Sequence, residues 1–143
     1  MYIVLLKMKI KLKIYIVIAL SLIAGCKRTD YKDTLEIKIN QFLISEKHEY
    51  DYVVIIPNSG CTGCITNAEN YFIKNVNNNR IKFIFTQILS NKELELRLKK
   101  ENIKKPNLYI DNSDTFFLTG YQDNIYPYIA TISNNKIIEI QRL

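Results

Sequence analysis

The chain has 143 residues, 48% hydrophobic and 24% charged, enough for one packed domain and too few for two. Its formal charge of +6 is concentrated at the start, because without Lys7, Lys9, Lys11 and Lys13 only sixteen basic residues face fourteen acidic ones. That balance gives no case for nucleic-acid binding, and no internal repeat is visible.

Residues 8–26, MKIKLKIYIVIALSLIAGC, open with lysines, run apolar from Ile14 to Ala24 and end on small residues before a cysteine. The run is too short to span a bilayer comfortably and reads as an export signal, starting at Met1 or at Met8. Its end, Ile23-Ala24-Gly25-Cys26, resembles the lipobox of bacterial lipoproteins. The resemblance implies that residues 1–25 are a signal peptide and that Cys26 is acylated and begins the mature chain. The protein would then lie in the cell envelope, outside the cytoplasm, held to a membrane by lipid. A plain amino-terminal anchor or an ordinary signal peptide is the competing reading. Three cysteines is an odd count for an exported protein; lipid on Cys26 leaves Cys61 and Cys64 as one pair, in a compartment where disulfides persist.

Residues 26–33 read as a polar tether, which puts the folded domain at 34–143. Leu35, Ile37 and Ile39 alternate as in a strand, whereas Leu35, Ile39, Phe42 and Leu43 fit one face of a helix, so periodicity alone leaves this stretch open. A helix is expected over at least residues 40–47. His48, the one histidine, reads as a solvated residue between helix and strand.

The chemistry concentrates at residues 52–65, YVVIIPNSGCTGCI. Tyr52 to Ile56 is a run of β-formers, the pattern of a strand buried on both faces. Pro57 ends it and Asn58-Ser59-Gly60 turns the chain into a helix expected over 62–76, with Ile65, Ala68, Phe72 and Val76 on its apolar face. Asn77-Asn78-Asn79 is expected to stop that helix through the left-handed conformation that asparagine tolerates. A cysteine in the first helical turn lies near backbone N–H groups without intrahelical partners, which favours its thiolate. Cys61 can then attack a disulfide, and Cys64, one turn on, can resolve the mixed intermediate. No general base is identifiable by spacing; Glu69 reads as part of a solvated face.

A second strand follows at 81–88. Ser90 and Glu93 form a capping box for a helix over 91–101, supported by Glu93 with Arg97 and Glu95 with Lys99, and Pro106 prevents its continuation. Lys99, Lys100, Lys104 and Lys105 read as a solvated helix end, with a docking patch for an acidic partner as the alternative. Residues 108–111 form a short strand. Residues 112–124 read as a loop or irregular helix whose Phe116, Phe117 and Tyr121 pack beneath it, with the lining of a substrate groove as the alternative. Strands at 127–132 and 136–140 are joined through Ser133-Asn134-Asn135, residues suited to a tight hairpin. This order predicts an α/β fold, a mixed sheet flanked by helices.

A buried strand running into CxxC at a helix start, with Tyr126-Pro127 opening a terminal hairpin, resembles the thioredoxin-like fold over about residues 52–140. It is most similar to the exported, membrane-tethered thiol–disulfide branch. The resemblance implies that Cys61 is the attacking thiol and Cys64 the resolving one, and that no metal or other cofactor is needed. It also implies that Pro127 is cis and faces the cysteines, and that Tyr126 offers its backbone to a substrate strand. The sequence departs from the family at Gly60, where an aromatic residue is usual, and at Thr62-Gly63 inside the motif. It also lacks the family's last helix, so an apolar patch or a partner is expected on one sheet face. Asn58, in place of the threonine of peroxidase relatives, argues against that chemistry.

The expected function is a membrane-anchored thiol–disulfide oxidoreductase acting on a protein disulfide or dithiol, with no nucleic-acid partner. Two other readings stand beside it. The pair could carry copper, since zinc wants four ligands and the chain adds only His48 and carboxylates. Or the disulfide merely stiffens a turn, although so small a loop adds little stability.

Overall fold

The computed structural model describes residues 30–46 and 49–143. Cys26, the signal-peptide segment, most of the tether and His48 lie outside the described residues.

The elements run α1 (Tyr31–Ser45), β1 (Tyr52–Pro57), α2 (Thr62–Asn75), β2 (Ile81–Thr86), α3 (Asn91–Leu98), α4 (Lys100–Ile103), β3 (Leu108–Asp111), a 3₁₀ turn (Gln122–Ile125), β4 (Tyr128–Ser133) and β5 (Lys136–Arg142). They build one five-stranded mixed sheet in the order β3-β2-β1-β4-β5. β1, β2 and β3 are parallel, while β4 runs antiparallel to β1 and to β5.

Helix α1 begins inside the stretch read as tether. The Asp30 side chain accepts from the Tyr31 N–H at 2.7 Å, supplying an N-cap, and Tyr31, Leu35 and Ile39 then fall on one buried face. Helical periodicity therefore wins over alternation, because this face has a sheet to cover. Side chains of β1 alternate between two cores. Val53 and Ile55 meet α1 together with Ile84, Tyr128, Ala130 and Ile140, whereas Val54 and Ile56 meet Ala68, Phe72, Phe83, Phe85, Leu94 and Leu98 beneath α2 and α3.

Several boundaries differ from the sequence reading. The second strand ends at Thr86 because Gln87 has φ 59° and turns away. The helix expected over 91–101 breaks at Lys99, φ 68°, into α3 and α4. Helix α2 ends without a left-handed asparagine: Asn75 caps back onto the Tyr71 carbonyl at 2.8 Å, and Asn78 bonds to Asn75 and Arg80. The stretch over 112–124, expected as loop or irregular helix, is loop up to the start of the 3₁₀ turn, above buried Phe116 and half-buried Phe117 and Tyr121. The terminal hairpin turns on Asn134 and Asn135, at φ 50° and 57°, the left-handed pair a two-residue turn requires.

The face of β4 and β5 away from α1 is thinly covered. It carries Thr131, Glu139 and Gln141 beside Tyr52 of β1, 38% exposed, so the expected apolar patch is small and interrupted by polar side chains.

Candidate functional site

All three parallel strands end on the same side of the sheet, at Pro57, Thr86 and Asp111. In open α/β sheets the loops beyond these carboxyl ends are where ligands and reactive groups gather. The Cys61–Cys64 motif is one of those loops.

Cys61 is the N-cap of α2, with extended backbone, φ −66° and ψ 97°, and its carbonyl accepts the helix's first bond from Ile65 at 2.9 Å. The N–H groups of Thr62, Gly63 and Cys64 precede that bond, so the helix itself offers them no acceptor. Cys61 and Cys64 are joined in a disulfide, Cα to Cα 5.3 Å, and both are half-buried. In the disulfide the Cys61 side chain makes no capping hydrogen bond, but as N-cap residue it stands at the helix end whose first N–H groups lack acceptors. A thiolate there is favoured by those donors and by the helix dipole.

The backbone that meets the motif is Ile125, at the end of the 3₁₀ turn. The Cys61 N–H donates to the Ile125 carbonyl at 3.2 Å. Gly60 has φ 133°, and a Cβ on it would lie 2.6 Å from the Ile125 Cβ and carbonyl oxygen. There is no room at this position for a side chain, aromatic or otherwise.

The expectation for Pro127 needs correction. No peptide bond among the described residues is cis, and Pro127 is buried. Tyr126 has the extended backbone that suits a residue before proline, φ −108° and ψ 142°, and carries the chain straight from the turn into β4. The turn thereby presents Ile125 to the cysteines, two residues before the Pro127 that the resemblance implies.

Glu69 also departs from its reading as a solvated residue. Its side chain is only 15% exposed and faces the Arg97 guanidinium at 3.2 Å without an aligned hydrogen bond. Burial pushes its carboxyl up, with Arg97 opposing. Arg97 also contacts Glu93 at 3.6 Å, the expected pair, and hydrogen-bonds to Asn58 in the loop before the cysteines. One guanidinium thus ties α2 and α3 to the motif loop. Nothing in the spacing of Asn58, Glu69 and Arg97 announces this, because two crossovers separate the partners. On its other side the loop is held by Asn58 N–H to the Thr86 carbonyl at 2.9 Å and by Ser59 to Gln87 at 3.2 Å. Gln87 N–H in turn donates to Asp114 at 3.0 Å.

Asp111 is fully buried at the end of β3. One carboxyl oxygen accepts from the Thr86 hydroxyl at 3.0 Å and the Phe116 N–H at 2.9 Å, which anchors the following loop. Leu89 and Ile125, 88% and 42% exposed, add apolar surface on the loops at this end. The lysines do not. Lys105 bonds to Asn77 beyond the end of α2 and precedes β3, so this part of the basic run lies at the opposite end of the sheet.

No family model matches the chain, and no curated protein or solved structure matches it either. Among the described residues, no group of three or more His, Cys, Asp or Glu is placed to hold a metal ion, and no helix is long and apolar enough to cross a membrane.

Proposed function

We propose that this chain is an extracytoplasmic thiol–disulfide oxidoreductase of thioredoxin-like type, held at a membrane by lipid on Cys26. One observation carries the reading: a half-buried Cys61–Cys64 disulfide sits at the N-cap of α2, beyond the carboxyl end of a buried strand. A disulfide kept only for stability gains little from so short a loop and has no need of a helix start. A reactive one needs the helix start for its thiolate. The parallel β1-α2-β2 unit and the antiparallel hairpin beside β1 also fit the type, while the trans bond before Pro127 is a departure from it.

In the reducing direction the Cys61 thiolate attacks one sulfur of a partner disulfide, forming a mixed disulfide and releasing the partner's other sulfur as thiolate, which takes a proton from water. The Cys64 thiolate then attacks the Cys61 sulfur and expels the partner's second thiolate. The partner gains two electrons and the Cys61–Cys64 bond re-forms. The oxidising direction is the reverse. The segment at Tyr126, half-buried and followed by buried Pro127, takes the partner's strand.

The start of α1 supports work close to a membrane. Tyr31 packs on Tyr121 and Tyr128 with ring centroids 5.6 and 5.1 Å away, and Thr34 bonds to the Tyr121 hydroxyl at 3.3 Å, beside the turn that meets Cys61. A chain arriving from Cys26 therefore joins the domain at the disulfide end.

Cys64→Ser should accumulate mixed disulfides through Cys61 on non-reducing gels, and Cys61→Ser should not. If Cys64→Ser traps nothing while Cys61→Ser retains full disulfide reductase activity, the assignment is wrong. Copper bound stoichiometrically by the purified reduced domain would favour the metal-carrying reading instead.

A further inference from the structure

We propose that Arg142 is a positioning residue for the Cys61–Cys64 pair, acting through Asp123 and Ile125. The inference rests on the thiol-exchange reading above and adds to it a residue from the far end of the chain.

The site depends on where Ile125 lies. Its carbonyl takes the Cys61 N–H, and its Cα and Cβ leave no space above Gly60. A shift of this turn moves the N-cap and, with it, the sulfur relative to the helix donors. Yet Ile125 is itself 42% exposed and belongs to a turn of four residues closed by one bond, Tyr126 N–H to the Asp123 carbonyl at 3.1 Å. So short a turn does not hold its own position.

Two devices hold it. Asn124 is buried and locks the turn to the preceding loop: its amide accepts from the Leu118 N–H at 2.9 Å, and donates to the Leu118 and Tyr121 carbonyls. Arg142, the last residue of β5, locks it to the sheet. Its guanidinium pairs with Asp123, lies 4.0 Å from the centre of the Tyr126 ring, and donates through Nε to the Tyr128 hydroxyl at 3.4 Å. The Tyr128 hydroxyl donates to Asp123 at 3.3 Å. Arg142 thus grips the residues two before and one after Ile125. Its side chain is 55% exposed, so the pair contributes little to global stability. What it supplies is the position of the turn.

The protein carries its own control. Arg80 pairs with Asp51 at the opposite end of β1, with the same 55% side-chain exposure. A general effect of losing a surface ion pair would appear equally in Arg80→Ala.

The experiment reads the pH dependence of iodoacetamide alkylation of Cys61 in a Cys64→Ser background, and the equilibrium of the native pair with glutathione. In Arg142→Ala, Cys61 should alkylate roughly three- to tenfold more slowly at mildly acidic pH, its profile displaced upward, and the glutathione equilibrium should move by a similar factor. Arg142→Lys keeps a charge on Asp123 without the planar stack, and should fall between. Arg80→Ala should match the parent. The proposal is overturned if Arg142→Ala retains the parent profile and equilibrium, or if Arg80→Ala shifts them equally. Failure of the exchange reading shows separately, as a Cys64→Ser protein that forms no mixed disulfide; the alkylation profiles still decide the role of Arg142.

Discussion

Gly60 and Gly63 bracket Cys61 and do opposite things. Gly60 is required twice over, by its φ of 133° and by Ile125, whose Cβ and oxygen lie 2.6 Å from where a side chain would begin. Gly63 sits in the first turn of α2 with nothing within 4 Å of an added Cβ. Alanine at position 60 should therefore cost about 1–3 kcal/mol and disturb the disulfide, because backbone cannot yield as a flexible side chain can. Alanine at position 63 should stabilise, by up to about 1 kcal/mol, through helix propensity alone. Urea denaturation of the two variants, with the pair kept oxidised, checks the contrast. Equal effects would mean that the Gly60 contact does not hold.

At the level of elements, one buried ion pair joins α1 to the sheet. Lys82 points from β2 into the α1 side, its side chain 5% exposed, and reaches Glu46 at the end of α1 at 2.7 Å. The ammonium also donates to the Pro106 carbonyl at 3.3 Å and lies about equally far from the rings of Phe42 and Tyr50, at 5.5 and 5.4 Å. The Tyr50 hydroxyl donates to the same Glu46 oxygen, and burial together with that bond pushes its phenol up to about 12. Removing Glu46 leaves a cation with no carboxylate in an aromatic box. Glu46→Ala should lose about 3–5 kcal/mol, while the double variant with Lys82→Met should recover most of it. A double-mutant cycle by chemical denaturation measures both. Additive losses would show that the pair does not act as a unit. The same element scale explains the break at Lys99. A continuous helix over 91–101 is what propensity favours, but the chain must turn there to place Leu98 and Asn102 against the sheet and bring β3 beside β2. Tertiary packing overrode a local preference.

Across the whole molecule, the disulfide and the lysine run of residues 104 and 105 lie at separate ends of the sheet. The disulfide lies beyond the carboxyl ends of β1, β2 and β3, while Lys104 and Lys105 precede β3 at the other end. The lysines therefore cannot steer a partner that contacts the cysteines and the lysine end at once unless it spans the sheet. At about 0.1–0.15 M salt, Lys104→Gln with Lys105→Gln should leave the rate of exchange with a small anionic disulfide unchanged within about twofold, because charges beyond a Debye length of roughly 8–10 Å are largely screened. Stopped-flow measurement at that ionic strength decides this; a several-fold fall there would return the lysines to the site.

Much of this protein could be read from its residues alone, because local rules govern those features. Continuous β-formers announce β1, Pro57 and Gly60 announce the turn, and Ile65, Ala68 and Phe72 announce the inner face of α2. Given that helix, the CxxC spacing puts one sulfur at its start and the second a turn away. Asn134-Asn135 announces the hairpin. Only the tertiary structure decided what surrounds the cysteines. Ile125 against Gly60, Arg97 between Glu69 and Asn58, and Arg142 on Asp123 join residues that no periodicity relates, since sheet order β3-β2-β1-β4-β5 and not sequence distance makes them neighbours. The trans bond before Pro127 belongs to the same class: proline admits both isomers at little cost, and only the packing of the turn before it selects one. A helix start can be recognised from sequence because its chemistry is confined to a few residues, whereas the wall facing it cannot, because it is assembled from the ends of distant strands.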